Sequence, residues 1–183
     1  TISIWLGLSA VGAVLLLATT NQMCQEIAVI PFLWVVPLAI YLLTFVISFD
    51  SERWYDRRVF GFLVGISAAA SLSMAAAGPN IPLIYHIVAY SIALFACCMC
   101  CHNELAKLKP HPRHLTLFYL AVAAGGALGG VFVALIAPRI FTAFSEYPLA
   151  LAACGALTLF TWYRAQAWEP FLTQPHWVVG PMA

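Results

Sequence analysis

The sequence predicts an all-α integral membrane protein, with about six transmembrane helices in a bundle packed around a Gly-rich helix. The first observation is composition: 63% of the 183 residues are hydrophobic and 8% are charged, with a mean hydropathy of +0.93. A soluble domain carries about 25% charged residues, so this chain lacks the ionic groups to cover a water-facing surface. The second observation is a series of apolar stretches separated by polar loops, and the third is an uncharged, Gly-rich stretch at residues 115–138.

The Gly-rich stretch reads LTLFYLAVAAGGALGGVFVALIAP. As a helix it is about 36 Å long, enough to cross a hydrocarbon core of about 30 Å with some tilt. Gly125/Gly129 and Gly126/Gly130 form two small-xxx-small pairs, which let helix backbones approach closely in membranes. In water, four such glycines would cost about 3–4 kcal/mol relative to alanine. We therefore expect these four glycines to be helix-packing positions on the central helix of the bundle.

The six predicted spans are residues 2–18, 27–49, 59–77, 81–101, 115–138 and 147–163. The second span contains Pro31 and Pro37, which predict a kink or a broken first turn. Gly-Pro-Asn at 78–80 predicts a tight turn between the third and fourth spans. On this reading, residues 1–164 form a six-helix transmembrane domain and the Trp/Pro-rich residues 165–183 form an interfacial tail.

The distribution of Lys and Arg predicts the orientation. Six spans place both termini on one side of the membrane. That side carries Arg53, Arg57, Arg58, Lys107, Lys109, Arg113 and Arg164, whereas the other carries Arg139. Cytoplasmic loops are enriched in Lys and Arg, so we expect a multi-pass protein of the bacterial inner (cytoplasmic) membrane with both termini in the cytoplasm.

A polar stretch, TTNQMCQE at residues 19–26, follows the first span. Asn21, Gln22 and Glu26, together with Trp34 in the second span, form a candidate intramembrane polar site. If the stretch enters the bilayer, an ionised Glu26 needs a partner or water, because a charge at the bilayer centre costs about 2.5–3.5 kcal/mol. Alternatively, Glu26 is an interfacial acid at a helix start, where the helix dipole favours negative charge.

His86 in the fourth span is a candidate ligand. An imidazole is costly in lipid, so it should face other helices. It either bonds to a Tyr, Ser or backbone carbonyl, or serves as an axial ligand to a porphyrin or chlorin. We expect His102, His111 and His114 to lie in the following loop and to serve local capping.

Four cysteines, at 97, 98, 100 and 101, lie at the end of the fourth span, and Cys98–His102 formally matches the C-x-x-C-H haem-attachment pattern. The expected cytoplasmic side argues against covalent haem, and one helix cannot direct four such thiols at one metal. The pattern favours small hydrophobes in a helix interface. We expect no metal and no cofactor, with bound lipid and, as an alternative, contact with a pigment or haem.

Further stretches occur in a recognisable order: residues 19–22 (TTNQ), 30–38 (IPFLWVVPL), 41–45 (YLLTF), 101–106 (CHNELA), Pro110, 114–120 (HLTLFYL), 125–130 (GGALGG), 137–138 (AP) and 146–150 (EYPLA). Over about residues 19–151 this set resembles the membrane-spanning portion of bacterial spermidine-synthase-like proteins, also labelled fused major-facilitator/spermidine-synthase proteins. The resemblance implies a bundle whose motif residues shape its interior and its cytoplasmic loop. That family typically carries an aminopropyltransferase-like domain after the spans. No strand–glycine turn–helix pattern follows Arg164 here, so we do not expect the transferase activity.

A net charge of +1 without a basic stripe argues against nucleic acid as a partner. The sequence favours a non-catalytic subunit or scaffold of a larger membrane complex, such as a photosynthetic or respiratory one, with other integral membrane subunits and lipids as partners. The first alternative is a transporter or half-transporter for a small cationic solute such as a polyamine, with a discontinuous helix formed by residues 19–37. The second is a pigment- or haem-contacting subunit that uses His86 or the cysteines.

Overall fold

The computed structural model describes residues 2–26, 33–50, 55–77, 82–141 and 146–172, with their side chains except those at positions 25, 26, 75, 77, 83 and 165–172. The elements are α1 (Ile2–Glu26), α2 (Val35–Asp50), α3 (Arg57–Ala77), α4 (Leu83–Lys107), a 3₁₀ turn (Pro112–His114), α5 (Leu115–Val131), a π-helical segment (Phe132–Ile136), α6 (Ala137–Ile140) and α7 (Glu146–Leu172). Every regular element in these ranges is helical, so the predicted all-α class is confirmed for them.

Three helical stretches are long and apolar enough to cross a membrane: Ile2–Cys24, Ile84–Lys107 and Pro112–Ile140. Helix α2 is also apolar but has 16 residues, fewer than the roughly 20 that a span needs. These lengths agree with the membrane protein that the composition predicts.

Helix α4 is the central helix of the bundle. It packs against α1, α2, α3 and α7, and 56% of its most apolar stretch is buried, against 28% for Pro112–Ile140. The expectation that the bundle packs around the Gly-rich helix is therefore wrong. The glycines of α5 shape one narrow face that fits one neighbour, α1. In α4, by contrast, all six residues at positions 96–101 are buried; they are one alanine, four cysteines and Met99.

Two helices extend beyond their predicted ends. Helix α1 continues through the polar stretch to Glu26, and α4 continues to Lys107, past the predicted end at Cys101. The assignment of His102 to a capping loop is wrong, because its side chain lies inside the bundle and bonds to α2. Helix α7 continues to Leu172, past the predicted domain boundary at 164, so the interfacial role of residues 165–183 stays a prediction.

Prolines explain two local features. Helix α2 begins at Val35, so Pro37 lies in its first turn, where a missing N–H is tolerated. Pro138 follows the π-helical segment Phe132–Ile136. Because a proline cannot bond to the carbonyl four residues earlier, the preceding turn is opened to the wider π geometry. Pro31, Arg53, the predicted turn at 78–80 and the tail at 173–183 lie outside the described residues.

Several contacts bring helix ends together at one end of the bundle, which we call the Arg57 end. Trp5 near the start of α1 donates its indole N–H to the Leu108 carbonyl after α4, at 3.2 Å. Arg57 at the start of α3 pairs with Glu104 near the end of α4. Trp162 of α7 lines the same cleft as Arg57. The starts of α1 and α3, the end of α4 and the turn of α7 around Trp162 are therefore neighbours.

Candidate functional site

The Gly-rich helix contacts α1 through one of its two glycine pairs. A Cβ added at Gly125 would lie 2.5 Å from the Leu6 carbonyl oxygen, and one added at Gly129 would collide with the carbonyl oxygen of Ala10. Ser9 strengthens this contact, because its hydroxyl donates to the Val122 carbonyl at 2.6 Å. Helices α1 and α5 form the most extensive pair among the described elements.

The other glycine pair is only partly engaged. A Cβ at Gly126 would lie 3.6 Å from the Ser9 hydroxyl oxygen, in ordinary contact, whereas a Cβ at Gly130 would meet nothing within 4 Å. Gly125 and Gly129 thus face α1, and Gly130 faces away from it.

The expected polar site stays a prediction, because the side chain of one of its members, Glu26, is not among the described ones. Asn21 is exposed, Gln22 is half-buried and Trp34 is 54% exposed. Glu26 ends α1, and its side chain lies outside the described residues.

His86 is buried, as the cost of an imidazole in lipid requires. Its ring lies 6.2 Å from the ring of Tyr90, one turn further along α4, and Tyr90 in turn meets Tyr147 of α7 edge-on at 5.3 Å. The structure therefore places His86 beside a tyrosine pair between α4 and α7. A ligand role for His86 stays a prediction.

The cysteines of α4 are buried and free, and a fifth, Cys154 of α7, joins them. The Sγ atoms of Cys101 and Cys154 are 3.7 Å apart, and the Cys154 thiol lies 3.7 Å from the Cys97 carbonyl oxygen. Within the described ranges no group of three His, Cys, Asp or Glu residues is arranged to hold a metal. Nothing in the sequence connects Cys154, far along the chain, with this cluster.

A buried polar cluster at the Arg57 end was not predicted. Three consecutive residues of α4, His102, Asn103 and Glu104, all have buried side chains. Successive residues of a helix point about 100° apart, so the three face different neighbours. Their partners on α2 and around the start of α3 are Thr44, Ser48, Tyr55 and Arg57. We call these seven residues the α4 polar cluster.

Glu104 is the charged centre of the cluster. Its side chain is 4% exposed, and Arg57 donates to both carboxylate oxygens, from Nε at 2.7 Å and Nη2 at 2.8 Å. The Tyr55 hydroxyl donates to the same carboxylate at 3.2 Å. Burial raises the pKa of Tyr55, and the nearby Cys100 and Glu104 raise it further, so the phenol stays protonated as a donor. Lys107 lies over the Tyr55 ring, with Nζ 4.5 Å from its centroid.

Asn103 and His102 bond to α2. The Asn103 amide donates to the Ser48 hydroxyl at 2.7 Å and to the Met99 carbonyl at 2.8 Å. The Thr44 hydroxyl donates to the Tyr41 carbonyl at 2.8 Å, and its oxygen lies 3.1 Å from His102 Nδ1. A hydroxyl has one proton, so His102 carries its proton on Nδ1 and donates to Thr44.

This tautomer leaves a lone pair on Nε2 of His102. Among the described residues Nε2 has no hydrogen-bond partner, and a Cβ at Gly12 of α1 would lie 3.4 Å from it. The rings of Tyr41 and Phe45 meet the imidazole edge-on, at 4.8 and 5.2 Å. His102 is thus enclosed between α1 and α2.

A cleft of about 260 Å³ opens beside the charged pair, between α3, α4 and α7. Arg57, Glu104 and Tyr55 lie at its polar end. The remaining lining residues are mainly small or apolar: Gly61, Val64, Gly65, Cys100, Gly155, Thr158, Leu159 and Trp162. A Cβ at Gly61, Gly65 or Gly155 would meet nothing within 4 Å, so the cleft owes its room to the missing side chains.

The CHNELA stretch carried the signal for this cluster. Residues 102–104 follow the cysteines without a helix breaker, so the helix could be extended through them. Arg57 and Glu104 have opposite charges and lie in the two predicted cytoplasmic loops, so they could be expected to pair. The chain matches no protein-family model, no curated protein and no solved structure. Function is therefore inferred from the geometry above.

Proposed function

We propose that this chain is a non-catalytic, multi-pass subunit of a larger complex in the bacterial cytoplasmic membrane, and that it works by packing against other integral membrane subunits. The observation that carries the proposal is the outer face of α5. Ala123 and Ala127 are exposed there, and Gly130 offers open space. Their spacings of four and three residues put them on one side of the helix.

A small-residue face of this kind favours a helix as its neighbour. Lipid tails are as apolar as leucine, so they gain little from alanine and glycine, whereas small residues let two backbones approach closely. The same helix already uses Gly125 and Gly129 in this way against α1. A second helix from another subunit fits the opposite side of α5 for the same reason.

The orientation we propose has six spans and cytoplasmic termini. The Arg57 end supports it, because the start of α1 and the turn of α7 around Trp162 lie there. The basic connection before α3 and the one after α4 meet at the same end. Arg139 lies in α6, at the far end of the continuous helical stretch that begins with α5 near the Arg57 end. An excess of Lys and Arg marks the cytoplasmic side.

The resemblance to the membrane portion of spermidine-synthase-like proteins belongs to the same proposal. Two stretches that carry it, CHNELA at 101–106 and GGALGG at 125–130, supply the α4 polar cluster and the α1–α5 contact. The two alternative functions, a transporter built on residues 19–37 and a pigment- or haem-contacting subunit, stay predictions: α1 ends at Glu26 and α2 begins at Val35, and residues 27–32 lie outside the described ones.

The test is in-membrane photo-crosslinking followed by purification in mild detergent. A photoreactive residue at Ala127 is expected to capture another membrane protein, whereas one at Phe62, on the exposed face of α3, serves as the lipid-facing control. Ala127→Trp should then reduce co-purification while the isolated chain stays folded. A chain that runs alone and monomeric, without a crosslink from position 127, would contradict the proposal.

A further inference from the structure

We propose that the thiols of Cys101 and Cys154 form a binding site for one Cu⁺ ion between α4 and α7. The two Sγ atoms come from different helices and lie 3.7 Å apart, and both side chains are fully buried. This inference goes beyond the packing role above, because it assigns a ligand to a site within one chain. The expectation that no metal binds was based on the thiols of α4 alone, whereas Cys154 adds a sulfur atom from a second helix.

The hydrogen bonds of the two thiols define the place of the ion. The Cys154 thiol donates to the Cys97 carbonyl oxygen, which lies 3.7 Å from its Sγ. A thiol has one proton, so the contact between Cys101 and Cys154 requires the Cys101 thiol to donate to the Cys154 sulfur. The Cys101 proton therefore lies between the two sulfur atoms, where a bridging cation would lie.

The distance between the two sulfur atoms suits one bridging ion. A zinc–thiolate bond is about 2.3 Å long and a copper–thiolate bond is similar, so two such bonds span at most about 4.6 Å. The observed separation of 3.7 Å corresponds to a bent arrangement of sulfur, copper and sulfur. A small rotation of the two side chains about χ1 opens it toward the linear arrangement.

The sulfur ligands and their apolar surroundings select a soft, monovalent cation. Thiol and thiolate sulfur favours Cu⁺ over hard cations. Structural Zn²⁺ sites take four ligands, and the described residues hold no group of three His, Cys, Asp or Glu side chains arranged for a metal. The two cysteines belong to the same buried cluster as Tyr90, Leu94 and Leu151. In such surroundings an ion bound without net charge is strongly favoured.

Binding exchanges one proton for the ion. Cu⁺ replaces the proton of Cys101 and bonds to the resulting thiolate, while the neutral Cys154 sulfur donates a lone pair to the ion and keeps its own proton. One H⁺ leaves for each Cu⁺ that enters, so the site is neutral before and after binding. A second thiolate would leave an uncompensated negative charge in an apolar interior, at a high cost in free energy.

The cleft between α3, α4 and α7 gives the ion a route to the site. Cys100 and Gly155 line this cleft, and they are the chain neighbours of Cys101 and Cys154. A Cβ at Gly155 would meet nothing within 4 Å, so the route is open on the α7 side. The Cys100 thiol offers an entering ion its first sulfur ligand.

The first experiment is an anaerobic Cu⁺ titration of the purified Cys24→Ser protein in detergent, in competition with a colorimetric Cu⁺ chelator. Cys24 is replaced because its thiol is exposed. We expect one ion per chain, ultraviolet absorption from the copper–thiolate bond, and release of one proton to a pH indicator. X-ray absorption should find sulfur neighbours around the copper and no nitrogen or oxygen neighbours.

Two further variants of that protein locate the site. Cys154→Ser removes one of the two ligands and should weaken Cu⁺ binding by at least the roughly 100-fold that loss of a group bonded to a metal ligand can cost. Cys98→Ser, which replaces another buried thiol of α4, should leave the affinity unchanged.

A second measurement uses no variant of the site. Ag⁺ has the charge and softness of Cu⁺, so it should protect Cys101 and Cys154 from disulfide formation by the thiol oxidant diamide, as peptide mapping detects. Zn²⁺ at the same concentration should not protect them. No Cu⁺ binding at all, unchanged affinity in Cys154→Ser, an equal loss in Cys98→Ser, release of two protons, or equal protection by Zn²⁺ would each overturn the proposal.

Discussion

Glu104 of α4 accepts two hydrogen bonds from Arg57 of α3, one on each carboxylate oxygen, at 2.7 and 2.8 Å. Parallel bonds between a guanidinium and a carboxylate fix orientation as well as distance. The two residues lie in different helices and stand 47 positions apart. This pair therefore sets how the start of α3 is placed against the end of α4, beside the cleft.

Removing Arg57 alone should destabilise the protein. Arg57→Met leaves the Glu104 carboxylate buried with the Tyr55 hydroxyl as its remaining described donor, and we expect a loss of about 2–3 kcal/mol, below the range for a fully buried pair because Arg57 is partly exposed. Adding Glu104→Leu should recover most of the loss. The measurement is thermal unfolding in detergent. Arg58→Met, at an exposed neighbour, is the control, and an equal loss in that variant would contradict the expectation.

Changing each glycine of α5 to alanine should affect the free energy of unfolding differently from one position to the next. Gly125→Ala and Gly129→Ala each place a methyl group against a carbonyl oxygen of α1, so we expect a loss of about 1–3 kcal/mol from overpacking. Gly130→Ala meets open space and should be neutral or stabilising by up to about 1 kcal/mol, the difference in helix propensity. Thermal unfolding of the three variants side by side gives the answer. Similar losses at all three positions would mean that α1 does not lie against Gly125 and Gly129.

The hydroxyl of Thr44 should contribute to the stability of the protein through its hydrogen bond with His102. Thr44→Val leaves the Nδ1–H of His102 buried without its acceptor, at a cost of about 1–3 kcal/mol, whereas Thr44→Ser keeps the oxygen and should cost less. Nitrogen NMR of labelled His102 should find the proton on Nδ1 and a bare Nε2. A proton on Nε2 in the wild type would refute the tautomer that the hydrogen bonds imply.

Oxidation should join α4 to α7. With Cys24 changed to Ser to prevent crosslinks through the exposed thiol, we expect diamide to form a Cys101–Cys154 disulfide, because these Sγ atoms are 3.7 Å apart. The two thiols lose two protons and two electrons, and diamide gains them as the hydrazine. Peptide mapping without reductant detects the link. Cys101→Ser should abolish it and Cys98→Ser should not; a link to Cys98 instead would contradict this packing.

The sequence predicted those features that depend on local composition. Membrane-length apolar helices follow from length and hydropathy, and the Gly125/Gly129 pair follows from the close approach that only small residues permit. The sequence did not predict which helix lies against these glycines. Small residues allow a neighbouring helix to approach closely, but any helix could be that neighbour.

The polar cluster was missed because its partners are distant in the chain. From the sequence alone, Glu104 is typical of a solvated basic loop, and its burial follows only from its contacts with Arg57 and Tyr55. In the same way, His102 is typical of a helix cap, and its contact with Thr44 shows that it lies inside the bundle. The central position of α4 was missed for a related reason. Its alanines and cysteines are individually ordinary apolar residues, and their burial depends on four neighbouring helices whose arrangement hydropathy does not encode.

The π-helical segment at Phe132–Ile136 lies between α5 and α6 and contains one residue more than an α-helix would need to connect them. Its bonds enclose one more residue than an α-turn does. Loss of a single residue there would let the turn relax to ordinary α geometry, so a shortened chain would keep Gly125 and Gly129 in register with α1. The part beyond it, with Arg139, would also keep its direction around the axis, because the wider turn already accommodates the extra residue.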